Sequence, residues 1–142
     1  MPTIIPYLNF NGNCEEAMEF YRSVFGGEFA TFSRFSDMDT GMECAENEKN
    51  NILHVSLPVG DHFVLMASDC PSAYGSVTHG NGIAVSIGTD SEEEATRIFN
   101  GLSDGGSVTM PLAKTFWGAF FGMFVDKFGI SWMVNYDYPT EP

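Results

Sequence analysis

The chain has 142 residues, 44% of them hydrophobic and thirteen of them phenylalanine, enough for one domain with a packed core or two small modules sharing one. Nineteen acids against six Lys and Arg give a formal charge of −13, so no basic stripe exists to neutralise phosphates, and nucleic acid and anionic membranes are set aside as partners. No apolar run approaches the ~20 residues of a membrane-spanning helix, and Met1-Pro-Thr-Ile-Ile5 shows no signal-peptide pattern, so a cytoplasmic protein is expected.

Residues 3–10 are rich in β-formers, and Asn11-Gly-Asn13 ends that strand and supplies a cap before Glu15 and Glu16. Ala17, Phe20, Tyr21, Val24 and Phe25 share one face of a helix that Gly26-Gly27 stops in the left-handed region. Phe29 to Phe35 alternates as a second strand. Residues 36–51 are polar and acidic, through Asp37, Asp39, Glu43, Glu46 and Glu48, and read as a long solvated loop without EF-hand spacing. Ile52–Val59 and His62–Ala67 form strands joined at Gly60-Asp61. Asp69 to Ser76, continuing to Gly82, has the Pro, Gly and Ser content of a linker.

The order then repeats. Ile83–Ile87 is a strand, Asp90 or Ser91 caps a helix with Ser91 and Glu94 placed for a capping box, and strands follow at 107–112, 117–125 and 130–136. Asp126-Lys-Phe-Gly129 turns between the last two, and 138–142 reads as a frayed tail. At a constant offset of 78 positions, Glu15, Glu16, Ala17, Phe20, Tyr21, Val24 and Gly27 match Glu93, Glu94, Ala95, Ile98, Phe99, Leu102 and Gly105. Matching acids, apolar stripe and closing glycine point to an internal duplication. The expected organisation is a first βαβββ module over 1–70, a linker over 71–81 and a second βαβββ module over 82–142. Cys14, Cys44 and Cys70 are odd in number and widely spaced, which favours free thiols over a disulfide framework or zinc knuckle.

Pro6-Tyr-Leu-Asn-Phe-Asn-Gly12 leading to Glu16-Ala-Met-Glu-Phe-Tyr-Arg-Ser-Val-Phe-Gly26, then Gly60-Asp61 with Leu65-Met-Ala-Ser-Asp69, then Val125-Asp-Lys-Phe-Gly-Ile-Ser-Trp-Met-Val-Asn135, resembles the PhnB-like branch of the vicinal oxygen chelate superfamily. That superfamily includes glyoxalase I, bleomycin-resistance proteins and extradiol dioxygenases. The resemblance implies an α+β fold of two tandem βαβββ modules forming a cup-shaped mixed sheet, and a homodimer. Names given to this branch invoke phosphonate metabolism or methyl transfer to a demethylubiquinone, but no catalytic motif for either and no glycine-rich methyl-donor loop occurs in the chain.

Metal-dependent members of the superfamily carry ligands on the first strand of each module, on a later strand of the first, and on the final strand after an Asp-Pro-x-Gly turn. Here the turn is Asp126-Lys-Phe-Gly129, and the residue four beyond its glycine, where the family's glutamate is expected, is Met133. A thioether is a poor ligand for a hard divalent cation. The first-strand positions, near Ile5 to Tyr7 and Gly82 to Ala84, offer only Tyr7.

Strand parity supplies site candidates independently. With Leu53, Val55 and Leu57 facing the helix, His54 and Ser56 face the cup; likewise Tyr7 and Asn9 face inward while Ile4, Leu8 and Phe10 face the helix. On the last strand Ser131, Met133 and Asn135 share the inward face. Tyr7, Asn9, His54, Ser56, Met133 and Asn135 together suit a small, partly apolar ligand oriented by a few hydrogen bonds. His54 is the leading candidate, for metal, proton or anion; the alternative for it is a core histidine bonded to nearby backbone or to Tyr7. His62 reads as a surface residue, and His79 reaches a metal only if the linker folds over the cup. The aromatic group of Phe116, Trp117, Phe120, Phe121, Phe124 and Phe128 is expected to serve core or dimer packing.

The favoured expectation is a small-molecule-binding protein with no assigned cofactor. The alternative is a glyoxalase- or lyase-type enzyme in which His54 and a linker or partner-chain residue hold a divalent cation as Lewis acid. A third reading, a purely structural module, has Phe120, Phe124 and Met133 filling the cup.

Overall fold

Two sheets of four strands are built from the same order of elements, one in each half of the sequence. The computed structural model describes residues 1–140, and the chain divides between Thr78 and His79 into two units, each with its own sheet and helix. In the first unit β1 (Tyr7–Phe10), α1 (Cys14–Phe25), β2 (Thr31–Arg34), β3 (Ile52–Val59) and β4 (Phe63–Asp69) give the strand order β1-β4-β3-β2. In the second, β5 (Val85–Gly88), α2 (Glu92–Ser103), β6 (Ser107–Lys114), β7 (Ala119–Val125) and β8 (Ser131–Asp137) give β5-β8-β7-β6. The first strand of each unit runs parallel to the last, and the other pairs are antiparallel. The architecture is α+β with two mixed sheets, and the two helices keep the offset of 78 along their whole length.

Each helix covers one face of its own sheet. Cys14, Ala17, Met18 and Tyr21 of α1 are fully buried, as are Phe10, Val55, Leu57 and Ala67 of the strands. Burial of Met18 alone contributes roughly 1.5–3 kcal/mol. In the second unit Ala95, Ile98, Phe99 and Leu102 of α2 are buried with Phe124, Trp132 and Val134, and Phe99 meets Phe124 edge-on at 5.0 Å between centroids. Gly122 makes that packing possible, because a Cβ there stands 2.6 Å from Phe99 Cε2.

Several local expectations are corrected. The first strand starts at Tyr7, where parallel pairing with Met66 begins; Ile4 is 96% exposed and does not face the helix. Asn13 does not cap α1 with its side chain; the Asp69 carboxylate accepts the N–H groups of Gly12 and Cys14 instead. Asp69 is therefore the buried end of β4 and not part of a linker, with its other oxygen accepting the N–H of Ile52 at 2.9 Å. On β3, a break in register opposite Ser33 and Arg34 passes over Leu53, and the fully buried residue there is Ile52. At α2 Ser91 Oγ accepts the Glu94 N–H, while Glu94 accepts the N–H of Asp90, so the capping box is displaced by one residue. Trp117 precedes β7, and Phe116 and Trp117 are exposed. Of the expected tail 138–142, the last two positions lie outside the described residues; Tyr138 is anchored, its N–H donating to Gly118 O and its hydroxyl to Glu92.

Candidate functional site

The face of the first sheet turned away from α1 gathers four of the six sequence-expected residues. Pairing places Tyr7, Met66, Ser56 and Thr31 across one row, Asn9 beside Ser68, and His54 beside Ser33. Alternation along each strand sends Leu8, Phe10, Val55, Leu57 and Ala67 to the helix side and these residues to the other. The Tyr7 hydroxyl lies 3.0 Å from His54 Nδ1, and the two rings stack with centroids 5.8 Å apart and planes 25° apart. The bond to Tyr7 was the bland expectation for His54, yet the pair is not core: Tyr7 is 45% exposed and His54 half-buried. Asn9 is exposed, and Ser56 alone of the four is buried.

Met133 and Asn135 share a face of the second sheet. Ser86, Met133, Met123 and Met110 run across it as one row, and Gly88, Asn135, Phe121 and Ala113 as the next. The Asn135 amide donates to Asp137. Phe124 lies on the opposite, helix-side face, so it does not fill this one as the purely structural reading requires.

The hard-cation centre that the sequence resemblance implies finds no fit among the described residues. Met133 stands on the terminal strand where a carboxylate is needed, the pairing neighbours of His54 and Tyr7 are Ser33 and Met66, and no group of three His, Cys, Asp or Glu is placed to hold a metal ion among the described residues. The turn carboxylate, Asp126, is buried and structural: it accepts the N–H groups of Phe128 and Ile130 and the indole N–H of Trp132. His62 is exposed, and His79 lies against Gly129, whose added Cβ stands 3.1 Å from the ring.

Sequence reasoning missed a cavity of about 450 Å³ in the acidic loop, lined by Phe35, Met38, Asp39, Met42, Cys44 and Lys49 among others, and by none of the expected site residues. Its signal, Met38, Met42 and Cys44 within seven residues of a polar stretch, was present in the sequence but carries no known spacing rule.

Comparison with known proteins bears on the family and the fold. A family model described as 3-demethylubiquinone-9 3-methyltransferase matches residues 2–135. Protein YjdN of Escherichia coli is 30% identical, over 92% of each chain. A Pseudomonas aeruginosa protein of known crystal structure is 47% identical with a TM-score of 0.86, covering 96% of this chain and 98% of that one. A Bacillus cereus structure titled as a putative 3-demethylubiquinone-9 3-methyltransferase, PhnB protein, is 27% identical with a TM-score of 0.73, covering 95% and 99%. The fold is shared, at low identity, with glyoxalase/bleomycin resistance/dioxygenase proteins. The chain therefore belongs to the 3-demethylubiquinone-9 3-methyltransferase, or PhnB-like, family.

Proposed function

We propose that the protein binds a small, partly apolar molecule on the open face of its first sheet, with His54 as the central contact and Tyr7, Asn9 and Ser56 beside it. The observation that carries this reading is the Tyr7–His54 bond at 3.0 Å on a half-exposed surface. A phenol that donates to Nδ1 leaves the imidazole proton on Nε2, which then donates to a carbonyl or carboxylate oxygen of the ligand. Met66 and the Tyr7 ring supply apolar surface beside that donor. No step is assigned to a metal, as no group of three His, Cys, Asp or Glu among the described residues is placed to hold one. Met133 and Asn135 share one face of the second sheet and are proposed as contact residues of that unit by itself. The protein acts as a homodimer in this reading, supported by the exposed Phe116 and Trp117.

The test is a thermal-shift screen of small carbonyl compounds, carboxylates and divalent cations against wild type and His54→Ala. A ligand at 100 times its Kd raises stability by about 2.7 kcal/mol. Compounds that stabilise wild type and not the variant support the reading; a stabilisation of equal size in both contradicts it.

A further inference from the structure

We infer that the ligand of the first sheet's open face is electrically neutral and two-ended, an uncharged hydrogen-bonding head such as a carboxamide on an aromatic or alkyl body. The inference rests on the reading of that face as a binding surface and adds what the face selects. Of the residues in β1 to β4, only Arg34 and Asp69 carry a full charge, and both turn to the helix side. Arg34 grips Glu15 of α1 through two bonds of 2.9 Å, and Asp69 is buried, accepting from Gly12, Cys14 and Ile52. The open face of these strands therefore presents no fixed ionic group, in a chain that carries nineteen acids and six Lys and Arg. An ionic head that gave up its water there would meet no counter-charge, a far larger loss than a neutral amide suffers. Register divides the same face into a polar and an apolar end. His54 and Ser68 follow the Val55–Ala67 pair, with Ser33 beside His54 and Asn9 beside Ser68. Ser56, Met66 and Tyr7 share the next row, and Pro58 pairs with Val64 in the row after it. Successive rows lie about 7 Å apart, so the passage from polar to apolar surface has the length scale of a phenylalkyl amide. The Asn9 amide and the hydroxyls of Ser33 and Ser68 both donate and accept; so does a carboxamide, whereas a carboxylate only accepts and an ammonium only donates.

Matched probes test this: 3-phenylpropanamide, 3-phenylpropanoate and 3-phenylpropylammonium, and the same three heads on a linear hexyl body. Each is titrated by NMR into the uniformly labelled full chain at about pH 8, where carboxylates and alkylammonium groups are charged and an ordinary imidazole is neutral. The amides should move the resonances of Tyr7, Asn9, His54 and Ser56 with a Kd at least about tenfold below those of their charged counterparts. Asn9→Lys and Asn9→Asp each place a charge at an exposed position of this face. The first should bring the carboxylates, and the second the ammonium probes, to the affinity of the amides. Asn9→Asp changes almost no volume, so it carries the test even if the lysine variant does not fold, which circular dichroism reports. Charged probes that bind wild type at these resonances as tightly as the amides, or a ranking unmoved in the folded Asn9 variants, overturn the neutral head and leave the binding face standing. Probes that leave all four resonances in place overturn the binding face itself, and this inference with it.

Discussion

Trp132 donates its indole N–H to the buried carboxylate of Asp126 at 2.8 Å, joining the core of β8 to the turn that precedes it. The same carboxylate accepts the backbone N–H groups of Phe128 and Ile130, so one side chain shapes the whole β7–β8 connection. Asp126→Ala strands those donors in a site 3% exposed and should cost about 3 kcal/mol of stability. Trp132→Phe removes the indole donor and part of the indole's volume but leaves the two backbone bonds of the turn, and should cost less. Urea denaturation of the two variants measures both.

Asp69 does the equivalent work in the first unit, accepting from Gly12, Cys14 and Ile52. Burial first, then the charges of Asp69 and Glu15, push the Cys14 thiol far above its ordinary value, so it stays protonated and unreactive. A disulfide reagent should therefore titrate Cys44 and Cys70 in the folded protein and reach Cys14 only after denaturant is added. Fast modification of all three thiols in the native state contradicts this packing.

Glu15 and Arg34 form a two-pronged pair, Nη1 to Oε1 and Nη2 to Oε2 both at 2.9 Å. Hydrogen bonding from Arg34 holds the Glu15 carboxyl below the usual glutamate range. A depressed folded-state pKa stabilises above the unfolded value and loses that contribution as pH falls through the folded one. Because both groups are partly exposed, solvent limits the effect to about 0.5 kcal/mol. Wild type should exceed Glu15→Gln by that margin near neutral pH, and the gap should close on acidification below the ordinary carboxylate range; urea midpoints at stepped pH report it.

Gly122 needs no positive φ, yet its site excludes a side chain. An added Cβ lies 2.6 Å from the Phe99 ring and 2.9 Å from the Leu112 backbone. Gly122→Ala should destabilise by about 1–3 kcal/mol, the range of core overpacking. Gly82→Ala, in open space, should be neutral, and paired melting curves separate the two.

The helices, the succession of strands along the chain and the shared face of Tyr7, Asn9, His54 and Ser56 were legible because they follow from local period and alternation. The offset of 78 identified both helices, and parity placed Tyr7, Asn9, His54 and Ser56 on one face. What parity cannot carry is an interruption: the break in register at Ser33 and Arg34 exchanges Leu53 for Ile52 in the core. Asp69 was misread as linker because its three donors come from residues 17 to 57 positions away, a relation no local pattern encodes. The loop cavity was missed because the loop folds through scattered contacts, among them Glu48 to Ser72 and Glu43 to Tyr74, that have no periodic signature.

The central claim is that the open face around His54 receives a ligand. Its most direct measurement is a fragment screen followed by NMR of uniformly labelled protein, wild type and His54→Ala. Binding fragments should move the resonances of Tyr7, Asn9, His54 and Ser56, and the movements should vanish in the variant. Fragments that bind with their shifts elsewhere, or with the same shifts in His54→Ala, would contradict it.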